Sequence, residues 1–179
     1  IRTCRNYGAE FAGYVTVGNL PDDLNLIVLT DLNSDVKMET DELSGLKEFL
    51  DKGGVLFGDP CSDDSGEHHD PGLFMTSFEA LASQLSRTMA EVDPGHSILS
   101  KTHKFLRPPN GRAGDSLLIE GDGMIFNDSD YGCLWSGECG SDSIERESLR
   151  SATEIGLNIA EYAISRTANH ELLNNLAGI

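Results

Sequence analysis

The chain has 179 residues, 39 % of them hydrophobic, which suits one domain with a core that needs neither disulfides nor metals to fold. It carries 30 acidic against 13 basic residues, a net charge of −17 spread along its length, and such a surface repels phosphate backbones and argues against a nucleic-acid partner. No run reaches the roughly 18–20 apolar residues of a membrane helix, so direct membrane insertion of this segment is not expected.

Residues Tyr14 to Val17 form a short β-like run. Leu26 to Thr30 is a continuous apolar run, the pattern of a strand buried on both faces. A helix follows, with Thr40 as its expected N-cap, Asp41 and Glu42 in its first turn, and Leu43, Leu46 and Leu50 on one face. Gly53 is placed to stop it. Val55 to Gly58 is the next apolar run, so strand, helix and strand make a right-handed βαβ unit.

Residues 59–72 are polar and rich in Gly, Pro and Asp, the composition of a loop. Thr76-x-x-Glu79 has capping-box spacing, which predicts a second helix from about Thr76 with Phe74, just outside the cap, and Phe78, Leu81, Leu85 and Met89 on its apolar stripe. Residues 93–116 read as an irregular connection. Leu117 to Ile119 and Met124 to Phe126 flank Gly121-Asp122-Gly123, the mark of a hairpin with a tight turn. A polar loop is expected over 127–147, then a third helix burying Leu149, Ala152, Gly156, Ile159, Ala160 and Ala163. The tail 167–179 has room for a short extra helix. Together these elements predict a single α/β domain over 1–179, a three-layer sandwich on a mostly parallel sheet. The start at Ile1, with no methionine or signal-like stretch, reads as a piece excised from a longer parent.

In such sheets ligands sit beyond the carboxyl ends of the strands. Two loops leave that edge, one after Phe57 and one after Phe126, and both are rich in chemically capable residues.

Four segments, in order, carry a family resemblance over about residues 24–165. Gly53-Gly54-Val55-Leu56-Phe57-Gly58-Asp59-Pro60-Cys61 resembles the strand exit of the domain of unknown function 4159 family. Gly95-His96-Ser97-Ile98 is similar to that family's His-Pro-Ile element without its proline. Asp130-Tyr131-Gly132-Cys133-Leu134-Trp135 resembles its glycine–cysteine–tryptophan segment, and Gly156-Leu157-Asn158-Ile159-Ala160-Glu161-Tyr162-Ala163 resembles its final helix. The resemblance implies a flavodoxin-like fold of the class I glutamine amidotransferase type. It also implies a bacterial parent that is extracytoplasmic or membrane-associated, and partners among the other domains or proteins of a membrane-associated assembly. It supplies no reaction.

Three kinds of chemistry are open to these residues. In amidotransferase-like folds a cysteine nucleophile sits at the turn after a strand. Cys61, or Asp59 beside it, would fill that place with His96 as base, although Pro60 and the lack of a Gly-x-Cys-x-Gly pattern weaken the nucleophile signature. The acidic loop holding His68, His69 and Asp70 offers ligands for a divalent metal ion, against the plainer reading of a solvated loop. Asp59, Asp130, Cys133 and Trp135 should converge where the two loops emerge, and would line a binding pocket or pack as turn caps and filler. The four cysteines, Cys4, Cys61, Cys133 and Cys139, make no CxxC pair, and their even count is compatible with disulfides or with thiols. The degraded nucleophile signature favours a non-catalytic ligand-binding or interaction module over a hydrolase or amidase-like enzyme.

Overall fold

Apolar runs of strand character, Leu26–Asp31 (β1) and Val55–Pro60 (β2), flank a helix, Thr40–Asp51 (α1), in the computed structural model, which describes residues 13–31, 38–60, 71–112, 116–136 and 145–177. β1 and β2 pair in parallel, from Leu26 opposite Val55 to Asp31 opposite Pro60, so the expected βαβ unit is present. The cap of α1 lies one residue earlier than Thr40. The Glu39 backbone N–H donates to the Glu42 carboxylate at 2.9 Å, the return arm of a capping box.

The remaining elements are the helix Pro71–Gln84 (α2), the short strand Ala90–Glu91 (β3), a 3-10 turn at Ser97–Leu99, and the strands Leu118–Gly121 (β4) and Met124–Asn127 (β5). The helices Tyr131–Ser136 (α3) and Arg146–Ala177 (α4) complete the chain. α2 starts at Pro71, not Thr76. A proline is well placed in a first helical turn, and Thr76 lies inside the helix with its hydroxyl donating to the Gly72 carbonyl at 2.8 Å. The tail is not a separate helix either. α4 continues unbroken past Thr167, because no proline or glycine interrupts it between Leu157 and Ala177. Tyr14 to Val17 forms no strand. Its end curls into a turn, with Asn19 N–H donating to the Thr16 carbonyl, and Tyr14 is fully exposed.

The strand order is β1-β2-β5-β4-β3. β1, β2 and β5 run parallel, whereas β4 is antiparallel to β5 and β3 to β4. The sheet is therefore mixed, which corrects the expectation of a mostly parallel one. The cause is the hairpin itself. Gly121 pairs with Met124, leaving a two-residue turn of Asp122 (φ 46°) and Gly123 (φ 95°), and so short a link joins only antiparallel neighbours. The turn is also fastened from outside. Arg87, nearly buried, bridges Asp122 and Asp51 on α1, and Arg166 on α4 reaches Asp122 at 2.5 Å.

Successive strand residues feed two separate cores, as the twofold repeat of a strand requires. Val55, Phe57, Leu118 and Ile125 pack with Tyr131, Leu134, Ile155 and Ile159 of α3 and α4. Ile27, Leu56, Ile119, Met124 and Phe126 pack with Leu46, Leu50, Phe74, Phe78 and Leu81 of α1 and α2.

Asn158, fully buried on α4, holds the irregular connection against the first core. Its side-chain oxygen accepts from Thr102 N–H (3.0 Å) and His103 N–H (2.8 Å), and its amide donates to the carbonyls of Ile98 (2.8 Å) and His103 (2.7 Å). Removing it strands four backbone groups at once. We expect Asn158→Ala to lower the stability measured by urea unfolding by about 2–4 kcal/mol, with an unchanged slope.

Candidate functional site

β2 and β5 are parallel neighbours, so their last residues finish at the same sheet edge. Each apolar run closes on a polar residue there, Asp59 on β2 and Asn127 on β5, and both are fully buried. A buried carboxylate needs donors for its lone pairs. Asp59 Oδ1 accepts from Asn127 Nδ2 at 2.5 Å and from Tyr131 N–H at 3.1 Å, and Oδ2 accepts from Gly132 N–H at 2.5 Å.

Tyr131 and Gly132 are the first two residues of α3, whose leading N–H groups have no partner within the helix. Asp59 thus caps a helix that lies far from it in sequence. The contact requires Gly132, because a Cβ there would lie 2.6 Å from Asp59 Oδ2. Asp130 caps the same helix locally. It sits at φ 53°, a conformation aspartate tolerates better than most residues, and its Oδ1 accepts from Cys133 N–H at 3.2 Å. Arg112 comes to 3.7 Å from Asp130 Oδ2 and to 3.5 Å from Cys133 Sγ.

Burial pushes the Asp59 carboxyl up to about 6, and the neighbouring Asp130 charge pushes the same way, against the three donors that favour the ionised form. Burial likewise raises the Tyr131 phenol, whose hydroxyl donates to the Pro109 carbonyl at 2.5 Å. Trp135 closes the far side. Its indole N–H donates to the Ala152 carbonyl at 2.7 Å, and its ring lies over Gly156, where a Cβ would meet it at 2.9 Å.

Asp59, Asp130 and Cys133 gather at the first turn of α3, and Trp135 lies on the same helix. The first three are buried, and Cys133 is disulfide-bonded. His96 lies in another polar group. Its Nδ1 accepts from Ile98 N–H (3.3 Å), its Nε2 is 3.9 Å from the Glu120 carboxylate, and its ring is 5.7 Å from that of Tyr162, which also donates to Glu120 (3.0 Å). Among the described residues it shares no partner with Asp59. Cys61, His68, His69 and Asp70 lie outside the described residues. Among the described residues no three His, Cys, Asp or Glu side chains gather as metal ligands. A cleft of about 350 Å³ opens at the opposite, amino end of the strands, with Leu20, Phe49, Gly54, Lys52 and His170 among its walls.

Sequence reasoning missed Asn127, Tyr131 and Arg112. Asn127 left a signal, since a polar residue closing an apolar strand beside Asp59's strand is a natural partner for it. Arg112 left none: it reaches Asp130 because the backbone at Gly111 crosses so close to Ser129 that a Cβ would lie 1.9 Å from the Ser129 carbonyl oxygen.

The family model of the domain of unknown function DUF4159 matches residues 27–164, and the chain belongs to that family. No curated protein matches it.

The raised Asp59 carboxyl gives stability a definite pH dependence. The folded state holds this proton more tightly than the unfolded chain, whose value is near the ordinary 3.8. The contribution is therefore complete below about 4 and is lost as pH rises through about 6. We expect wild type to gain on Asp59→Asn by up to about 3 kcal/mol between pH 7 and pH 4. Urea titrations of both proteins across that range measure the difference, and a gap that stays constant or shrinks would contradict the assignment.

Proposed function

We propose that this member of the DUF4159 family is a non-catalytic ligand-binding or protein-interaction module, serving a membrane-associated bacterial assembly through that assembly's other domains or proteins. The scaffold we assign to it is a three-layer, flavodoxin-like sandwich of the class I glutamine amidotransferase type. Two cores on alternate strand residues and the parallel trio β1, β2 and β5 support that scaffold. No helix among the described residues is long and apolar enough to cross a membrane, so the proposed association runs through partners.

One observation carries the functional reading. Both oxygens of Asp59, the carboxylate best placed for chemistry at the strand exit, are already taken by Asn127, Tyr131 and Gly132. A general base or nucleophile needs a lone pair facing its substrate, and three of the four lone-pair positions of Asp59 are already occupied by donors that hold β5 and α3 in place. The Asp130 side chain is committed to the same helix. The motif segments of α4 fit the same pattern, since Gly156 seats Trp135 and Asn158 ties down a loop.

A second reading has its own supporting observation. A carboxyl held near 6 at a strand exit is the kind of group that acid–base enzymes use. In that reading the chain is a hydrolase or amidase-like enzyme working through Asp59 or Cys61 with His96. The two readings separate on turnover. Ammonia release from glutamine and hydrolysis of p-nitrophenyl acetate are measured for the wild type, the thiol-alkylated chain, Asp59→Asn and His96→Ala, with and without added Mg²⁺ or Zn²⁺. We expect rates equal to buffer in every case. Turnover by wild type that falls more than about tenfold in any of the altered chains would replace the interaction reading with the catalytic one.

A further inference from the structure

β1 is a lateral edge of the sheet. It pairs with β2 on one side and, among the described residues, with nothing on the other. The Val55 N–H donates to the Asn25 carbonyl at 2.9 Å, which sets the alternation of the parallel ladder. The backbone groups of Ile27 and Leu29 therefore turn toward β2, and those of Leu26, Val28 and Thr30 turn outward.

Such an edge is a template for another strand, and proteins ordinarily blunt it with shortness, lysine, proline or a bulge. The opposite lateral edge obeys the rule: β3 has two residues, both exposed, one of them Glu91. β1 breaks it on every count. It runs for six residues in unbroken register with β2, its sequence Leu-Ile-Val-Leu-Thr-Asp has no proline or lysine, and Val28 is 47 % exposed. In a chain with 30 acidic residues, the first five positions of this strand carry no charge at all. Ahead of the strand stand the exposed carboxylates of Asp22 and Asp23.

We propose that the outer edge of β1 accepts an extended segment of a partner protein as an added strand, one whose β-branched residues cover Val28 and whose basic flank meets Asp22 and Asp23. Backbone hydrogen bonds to Leu26, Val28 and Thr30 supply the affinity, and the side chains supply the choice. Charge selects this occupant over a second copy of the chain, because two bodies of −17 repel whereas a basic segment is attracted. The inference rests on the reading of the chain as an interaction module, and the turnover measurements above test that reading separately.

The test is amide hydrogen exchange, residue by residue, on the ¹⁵N-labelled chain. The probe is a short peptide alternating valine and threonine between paired lysines, with a twin carrying glutamates in place of the lysines. We expect the lysine peptide to slow exchange at Leu26, Val28 and Thr30 by roughly tenfold or more, with little change at Ile27 and Leu29. Val28→Pro removes an outward N–H and leaves the β2 ladder donors in place, so it should abolish the effect. Val28→Lys, which keeps the backbone and blunts the edge with a charge, should do the same and decides the matter if the proline variant does not fold. Three results would overturn the proposal: protection of these amides in the free chain, protection that grows with the chain's own concentration, or no response to the lysine peptide. Equal protection by the glutamate twin would overturn the basic partner.

Discussion

A single buried carboxylate ties the architecture together. Asp59 stands where β2 ends, takes a donor from the end of β5, and caps the first turn of α3. Strand pairing alone leaves the ends of β2 and β5 free to splay. With Asp59 between them they are cross-linked through side chains, and α3 is set over Phe57, whose ring lies tilted against that of Trp135 with centroids 5.8 Å apart. Trp135 then meets α4 at Gly156 and Ala152. The long helix is thus positioned through α3 as well as by its own packing, and the chain of dependence starts at one side chain.

That arrangement has a cost that the surroundings offset only in part. Three donors favour the ionised carboxylate, yet burial and the adjacent Asp130 outweigh them and raise the Asp59 carboxyl to about 6. The charge on Arg112 faces Asp130, not Asp59, so the countercharge stabilises the partner acid. A site organised this way gives up stability to fix a geometry. Here the fixed geometry is a helix cap, and three of the four lone-pair positions of Asp59 are occupied by Asn127, Tyr131 and Gly132.

Much of the fold was legible in the sequence, and the misses have identifiable causes. The βαβ unit and the hairpin followed from apolar runs and from Asp122-Gly123, which demands a turn with two positive φ angles. That same turn already implied an antiparallel pair, so the mixed sheet was contained in the hairpin and the expectation of a mostly parallel sheet ignored it. α3 escaped because its six residues include a glycine and are capped from β2, a contact no local pattern encodes. The convergence of Asp59 and Asp130 was legible from topology. Their use as caps was not, because it depends on which backbone N–H groups arrive beside them.

The apolar run of β1 shows how one pattern supports two structures. A continuous stretch such as Leu26 to Thr30 reads as a strand covered on both faces and flanked on both sides. Here Ile27 and Leu29 do face the core of α1 and α2, and Leu26 packs against the other core, but Val28 is half exposed and belongs to neither. The sequence therefore carries more apolar surface than the described fold uses. The carboxyl ends of β2 and β5 are closed by Asp59, the hairpin turn is closed by Arg87 and Arg166, and β3 is too short to extend. What is left of the sheet's pairing capacity, among the described residues, lies along β1. Only there do an unused backbone edge and unused apolar surface coincide, which is why an interaction by strand addition accounts for both with one partner.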